Sequence, residues 1–184
     1  DIPLGAGADA REVFALVPYR QVRERGFEAR DDETPLRCLL VDSHDHLPAA
    51  DLIAQLPGAT IPLRDGHFDV DDDAYGAIVE RVIADEIGRG EGANFVIRRD
   101  YTAQYDVDDR VAALTWFRAL LEHERGAYWT FAVITPGHIA VGASPEAHVF
   151  ARERVVTMNP ISGTFRHPAG GATKETLTAF LSST

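Results

Sequence analysis

The chain has 184 residues, 45% of them hydrophobic and 26% charged, which suits a folded globular protein with one core. A formal net charge of −11 argues against a nucleic-acid surface, which needs clustered Lys and Arg, and no apolar run approaches a membrane span. The single cysteine, Cys38, excludes an internal disulfide framework and suits a reducing cytoplasm, the expected location.

Two short apolar runs bounded by turn formers, Val13–Val17 and Leu36–Val41, read as buried strands. Residues 42–48 read as a loop, followed by a short amphipathic piece around Asp51–Leu56 and a Pro/Gly-rich connection to Pro62. Asp71, Asp72 and Asp73 supply cap candidates and negative charge at a helix start. From Ala74 to Ile87 the residues Tyr75, Ile78, Val79, Val82, Ile83 and Ile87 fall on one face of a helix, which predicts their burial. Gly88, Gly90 and Gly92 end it.

Asn94–Arg99 reads as a strand, and Asp106–Glu124 as a second helix, apolar on more than one side and therefore well buried. Four strand-like runs follow: Ala127–Ile134, His138–Gly142, Ala147–Ala151 and Arg154–Met158. Their connectors are short, which predicts an antiparallel meander over 127–158, because parallel neighbours need long crossovers. Leu177–Thr184 reads as part of a helix that the chain leaves unfinished. The start lacks both an initiator Met and a signal-peptide layout, so both ends read as cut. The expected class is α+β: a mixed, largely antiparallel sheet packed with helices.

Several constellations fall to simpler readings. Ser43-His44-Asp45-His46 brings two histidines together without an identifiable third ligand, so it reads as a solvated turn rather than a metal site. The glycines at 88–92 close a helix and open a strand, the reverse of a phosphate cradle. Cys38 sits in an apolar run, where cysteine is an inert core residue, and no serine stands in a G-x-S-x-G elbow.

Glu146 is different in promise. It follows Ser144-Pro145 at a strand entrance, where partial desolvation would raise a carboxylic acid toward the range of a general acid, although a solvated turn carboxylate has the same spacing. Further on, Asn159-Pro160-Ile161-Ser162-Gly163-Thr164 offers amides beside a hydroxyl, a carboxylate-binding corner or an ordinary turn.

Taken in order, these residues resemble the chorismate-utilising family that includes anthranilate, aminodeoxychorismate, isochorismate and salicylate synthases. The stretch Gly90-Glu91-Gly92-Ala93-Asn94-Phe95-Val96-Ile97-Arg98-Arg99 matches the family's first motif, Ser144-Pro145-Glu146 its S-P-E, and Pro160-Ile161-Ser162-Gly163-Thr164 its P-I-x-G-T. With Leu16–Gln21 and Glu24–Phe27 upstream, the wording is similar to the phenazine-pathway branch, the 2-amino-2-deoxyisochorismate synthases, over nearly the whole chain. The ordered set is specific where each motif alone is weak.

The resemblance implies the chorismate-binding α/β sandwich fold and a reaction in which a nucleophile adds at C2 of chorismate as the C4 hydroxyl leaves. It makes Glu146 the acid that protonates that hydroxyl, and Gly163 and Thr164 the contacts to the ring carboxylate. Asn94 stands where water-using members carry a base lysine, and Ser162 where para-directed members carry a nucleophilic lysine; both absences select ammonia. Magnesium is expected for the complete enzyme, with ligands that belong beyond Thr184, so no metal ligand is assigned here. Residues 1–184 are then an incomplete N-terminal and central portion of a synthase domain, inactive alone, without the glutamine amidotransferase domain or subunit that supplies ammonia. The expected partners are chorismate and that ammonia source; the complete enzyme can be a homodimer, and neither nucleic acid nor membrane is a partner. Anthranilate synthase, isochorismate synthase and a non-catalytic truncated binding module are the alternatives, and Asn94 argues against the second.

Overall fold

In a computed structural model, which describes residues 2–5, 7–126, 128–161 and 165–182, the chain divides into two units, Asp1–Pro48 and Ala49–Thr184. The first unit is built on the two apolar runs. They form strands β1 (Val13–Leu16) and β2 (Arg37–Leu40), antiparallel, with Val13 opposite Leu40 and Leu16 opposite Arg37. Between them a 3₁₀ helix, Tyr19–Arg25, stops at Gly26, whose φ of 83° is the left-handed cap that glycine adopts freely. Arg20 and Arg23 close on Asp31 at 2.7 and 3.2 Å. The hydrogen bond from Arg20, then the Glu33 amide, hold the Asp31 carboxyl below its usual range.

The second unit begins with α1 (Ala49–Gln55) and β3 (Arg64–Phe68), then α2 (Asp72–Arg81), which runs on as a π turn over Val82–Ile87. Asp71 caps α2, its carboxylate accepting the Ala74 amide, as the acidic run predicts. Strand β4 (Tyr101–Gln104) pairs antiparallel with β3, with an irregularity between Arg64 and His67. The Tyr101 hydroxyl reaches over Gly66, where a Cβ would lie 1.8 Å from it, so a side chain at 66 would push the tyrosine aside.

Helix α3 (Asp109–His123) is capped by Asp108, which accepts from the amides of Arg110 and Val111. It lies against the hairpin of β5 (Trp129–Thr135) and β6 (His138–Ser144), and α1 packs on it, tied by Arg118 Nη1 to the Leu56 carbonyl at 2.9 Å. The small residues Ala112 and Ala113 of α3 and Val133 of β5 are buried where these elements meet. Strands β7 (Val149–Arg152) and β8 (Val155–Met158) form a further antiparallel hairpin, and α4 (Lys174–Leu181) starts in a Thr173–Thr176 capping box.

The class is α+β, with every described strand pair antiparallel. The strands β1 and β2 are half-exposed rather than buried as their apolar runs suggest, with Phe14 47% and Leu40 49% exposed. Four further details differ from the sequence reading. The meander over 127–158 is two separate hairpins, because Pro145 lacks an amide donor and His148, at a φ of 58°, turns the chain before β7. Asn94–Arg99 is not a strand; Phe95 and Ile97 turn toward α2 instead of entering a ladder, and Val96 is left exposed. Ile83 and Ile87 are 56% and 40% exposed rather than buried, since the π turn widens the helix and shifts the phase of its apolar stripe. The second helix is the most buried of the described helices, but Val111 remains 44% exposed. Among the described residues no helix is long and apolar enough to cross a membrane.

Candidate functional site

Asn94 lies in an irregular stretch between the π turn and β4. The Phe95 ring folds over Gly92, where a Cβ would come within 2.8 Å of it. Asn94 is exposed and lines a groove of about 240 Å³ with Tyr75, Val79, Ile83, Phe95 and Ile97 among its walls. The groove is apolar apart from the Asn94 amide and the Tyr75 hydroxyl, and Tyr75 donates to the Ile97 carbonyl at 3.1 Å. A carboxamide in that place can donate and accept hydrogen bonds but cannot take a proton at neutral pH.

Glu146 lies in the connection from β6 to β7, three residues before Val149, rather than at the first residue of a strand. The Ser144 hydroxyl braces it, accepting the Glu146 amide at 3.3 Å and lying at the same distance from the Glu146 carbonyl. This is a serine turn that fixes the backbone and leaves Glu146 exposed rather than partly desolvated. Asn94 and Glu146 share no hydrogen bond among those described, and the groove that Asn94 lines does not include Glu146. Ser162, Gly163 and Thr164 lie outside the described residues.

The Ser43–His46 turn stays a turn. The His44 and His46 rings meet edge to face at 5.5 Å, and His44 Nδ1 is 3.2 Å from Glu12 Oε2. Among the described residues no group of three His, Cys, Asp or Glu stands together to hold a metal ion.

Sequence reasoning missed the ring of contacts around Arg99. Its guanidinium lies 3.9 Å from the Phe68 ring centroid and 5.5 Å from that of Tyr75, and it bonds Val70 and Asp72. The partners lie 24 to 31 residues before it, so no local spacing announces them; an arginine followed by an acidic residue was the only hint.

Comparison with known proteins bears on what these residues serve. Two curated proteins named "Anthranilate synthase, phenazine specific" align with 182 residues of the chain, one from Pseudomonas chlororaphis at 46% identity and one from Pseudomonas fluorescens at 43%. Each alignment covers 98% of this chain and 29% of the relative, so the chain spans less than a third of their length. Residues 27–184, which hold all three motifs, match the family described as chorismate binding enzyme. The chain belongs to that family of chorismate-utilising enzymes.

Proposed function

We propose that the chain is the N-terminal and central part of an ammonia-dependent synthase that converts chorismate to 2-amino-2-deoxyisochorismate in a phenazine-type pathway. The observation that carries this reading is the pairing of two features: identity of 43–46% to phenazine-specific relatives, and Asn94 in the place of a base lysine. Ammonia brings its own lone pair and needs less help from a base than water does, so a non-basic amide at this position suits it. The reaction balances as ammonia adding at C2 while the C4 hydroxyl departs, protonated, as water.

In this reading Glu146 protonates the departing hydroxyl, and the bound substrate supplies the desolvation that an exposed carboxylate lacks. Gly163 and Thr164 hold the ring carboxylate through an amide and a hydroxyl, and Ser162 leaves the para position without a nucleophile. Magnesium, bound by residues outside this chain, serves the full-length enzyme, which works in the cytoplasm and can pair as a homodimer. Ammonia reaches it from a glutamine amidotransferase domain or subunit, and the 184-residue chain by itself is inactive.

A second reading, elimination of pyruvate to give anthranilate, is favoured by the relatives' printed name. Product analysis of the full-length protein with chorismate, ammonium and magnesium tests both. The amino product without anthranilate is expected; anthranilate as main product establishes the second reading, and isochorismate formed without ammonium overturns both.

A further inference from the structure

The stretch from Gly88 to Asp100 belongs to no helix or strand, so its shape depends on individual anchors rather than on a ladder. Its first end is held locally: the amides of Gly90 and Glu91 donate to the carbonyls of Ile87 and Glu86, each at 3.0 Å. Its far end is held from a distance. Arg99 donates from Nε to the Val70 carbonyl at 2.7 Å and from Nη2 to Asp72 Oδ1 at 2.6 Å. The same guanidinium stacks on Phe68 and approaches Tyr75, whose hydroxyl bonds the Ile97 carbonyl.

These contacts differ in weight. Asp72 is 90% exposed, so its ion pair contributes little. Arg99 itself is only 20% exposed, and a planar cation desolvated against two rings is held more firmly than an exposed pair. Its neighbour Arg98 is the contrast: 76% exposed, it reaches only Asp69 and Asp100.

We propose that Arg99 is a positioning residue for Asn94: stacked on Phe68 beside Tyr75, it joins the two hydrogen bonds between Asp69 and Asp100 in fixing the far end of the irregular stretch and so sets where the Asn94 amide stands. This rests on the reading that Asn94 faces the incoming ammonia. Lysine cannot replace arginine here, because it has neither the plane nor the fork.

The test has two readouts. In NMR relaxation on the 184-residue chain, Arg99→Met should lower the backbone order parameters of 91–98 to below about 0.6, with α3 unchanged and Arg98→Met without effect. In the full-length protein Arg99→Lys and Arg99→Met should raise the KM for ammonium by roughly tenfold at constant KM for chorismate, the split expected of a lost positioning contact. Unchanged order parameters at 91–98, or lower ones everywhere together, overturn the proposal; Arg99→Lys decides it if the Met variant fails to fold. Asn94→Ala separates this inference from the reading beneath it. If Asn94→Ala raises the ammonium KM and the Arg99 variants do not, the positioning role falls; if none of them does, the reading of Asn94 falls with it.

Discussion

A carboxylate can share its turn with a serine for two reasons, and Glu146 separates them by experiment. The Ser144 hydroxyl bonds only the Glu146 backbone, so the turn survives a change of side chain. Glu146→Gln keeps size and polarity and removes the acid. If Glu146 donates the proton to the departing hydroxyl, turnover in the full-length enzyme should fall by about 10²–10⁴-fold, the usual worth of general acid catalysis. Chorismate binding should change little. A turn residue alone would give a stability change within about 0.5 kcal/mol and no rate defect. Chorismate consumption at saturating ammonium separates these outcomes, and a Gln variant with most of its turnover removes Glu146 from the chemistry.

At the level of elements, the hairpin of β7 and β8 turns through Glu153 and Arg154, both in the left-handed region at φ of 50° and 67°. A two-residue loop with both central residues at positive φ is a type I′ turn, which asparagine and glycine enter freely and other side chains enter at a cost. Arg154→Gly should therefore stabilise this hairpin by about 1 kcal/mol, seen as slower amide exchange across Val149–Met158. No slowing there would mean that the turn carries no strain. The sequence showed that a short connector closes this hairpin but placed it one residue early, at Arg152 and Glu153; α3 was legible through its acidic start, and β1 and β2 through their apolar runs. Strand β3 was not, because Arg64-Asp65-Gly66-His67-Phe68 is mostly polar and exposed throughout. Asn94–Arg99 looked like a strand because Phe95, Val96 and Ile97 are apolar and bulky. Those side chains are drawn toward α2, or in the case of Val96 left 96% exposed, a choice made by tertiary contact rather than propensity. The site was legible as motif positions only. That Asn94 lines a groove with Tyr75 and Val79, and that Arg99 meets partners 24 to 31 residues before it, depends on pairings that no local pattern encodes.

For the whole molecule, the accessible surface is 15122 Å². A folded monomer of 20.2 kDa exposes roughly 8,800 Å², and even two separate bodies of the two units' sizes would expose roughly 10,000 Å². The excess is substantially apolar: Val149, Phe150, Val155, Val156 and Met158 are 49–65% exposed, and their hairpin packs against no other described element. Cross-strand register puts Val149 opposite Met158 and Ala151 opposite Val156, so one face of the hairpin is wholly apolar. Contiguous apolar surface of this kind takes up hydrophobic dyes and promotes association. The 184-residue chain alone should therefore enhance the fluorescence of anilinonaphthalene sulfonate several-fold. A protein at the length of its relatives should not, because further polypeptide would compete for the same surface. Val156→Lys and Met158→Lys test the hairpin's share. Both positions are exposed, so each change should alter stability by no more than about 0.5 kcal/mol while lowering dye binding. Dye binding by the short chain that is absent, or unchanged by both lysines, would mean that these faces are not the exposed apolar surface of the molecule in solution.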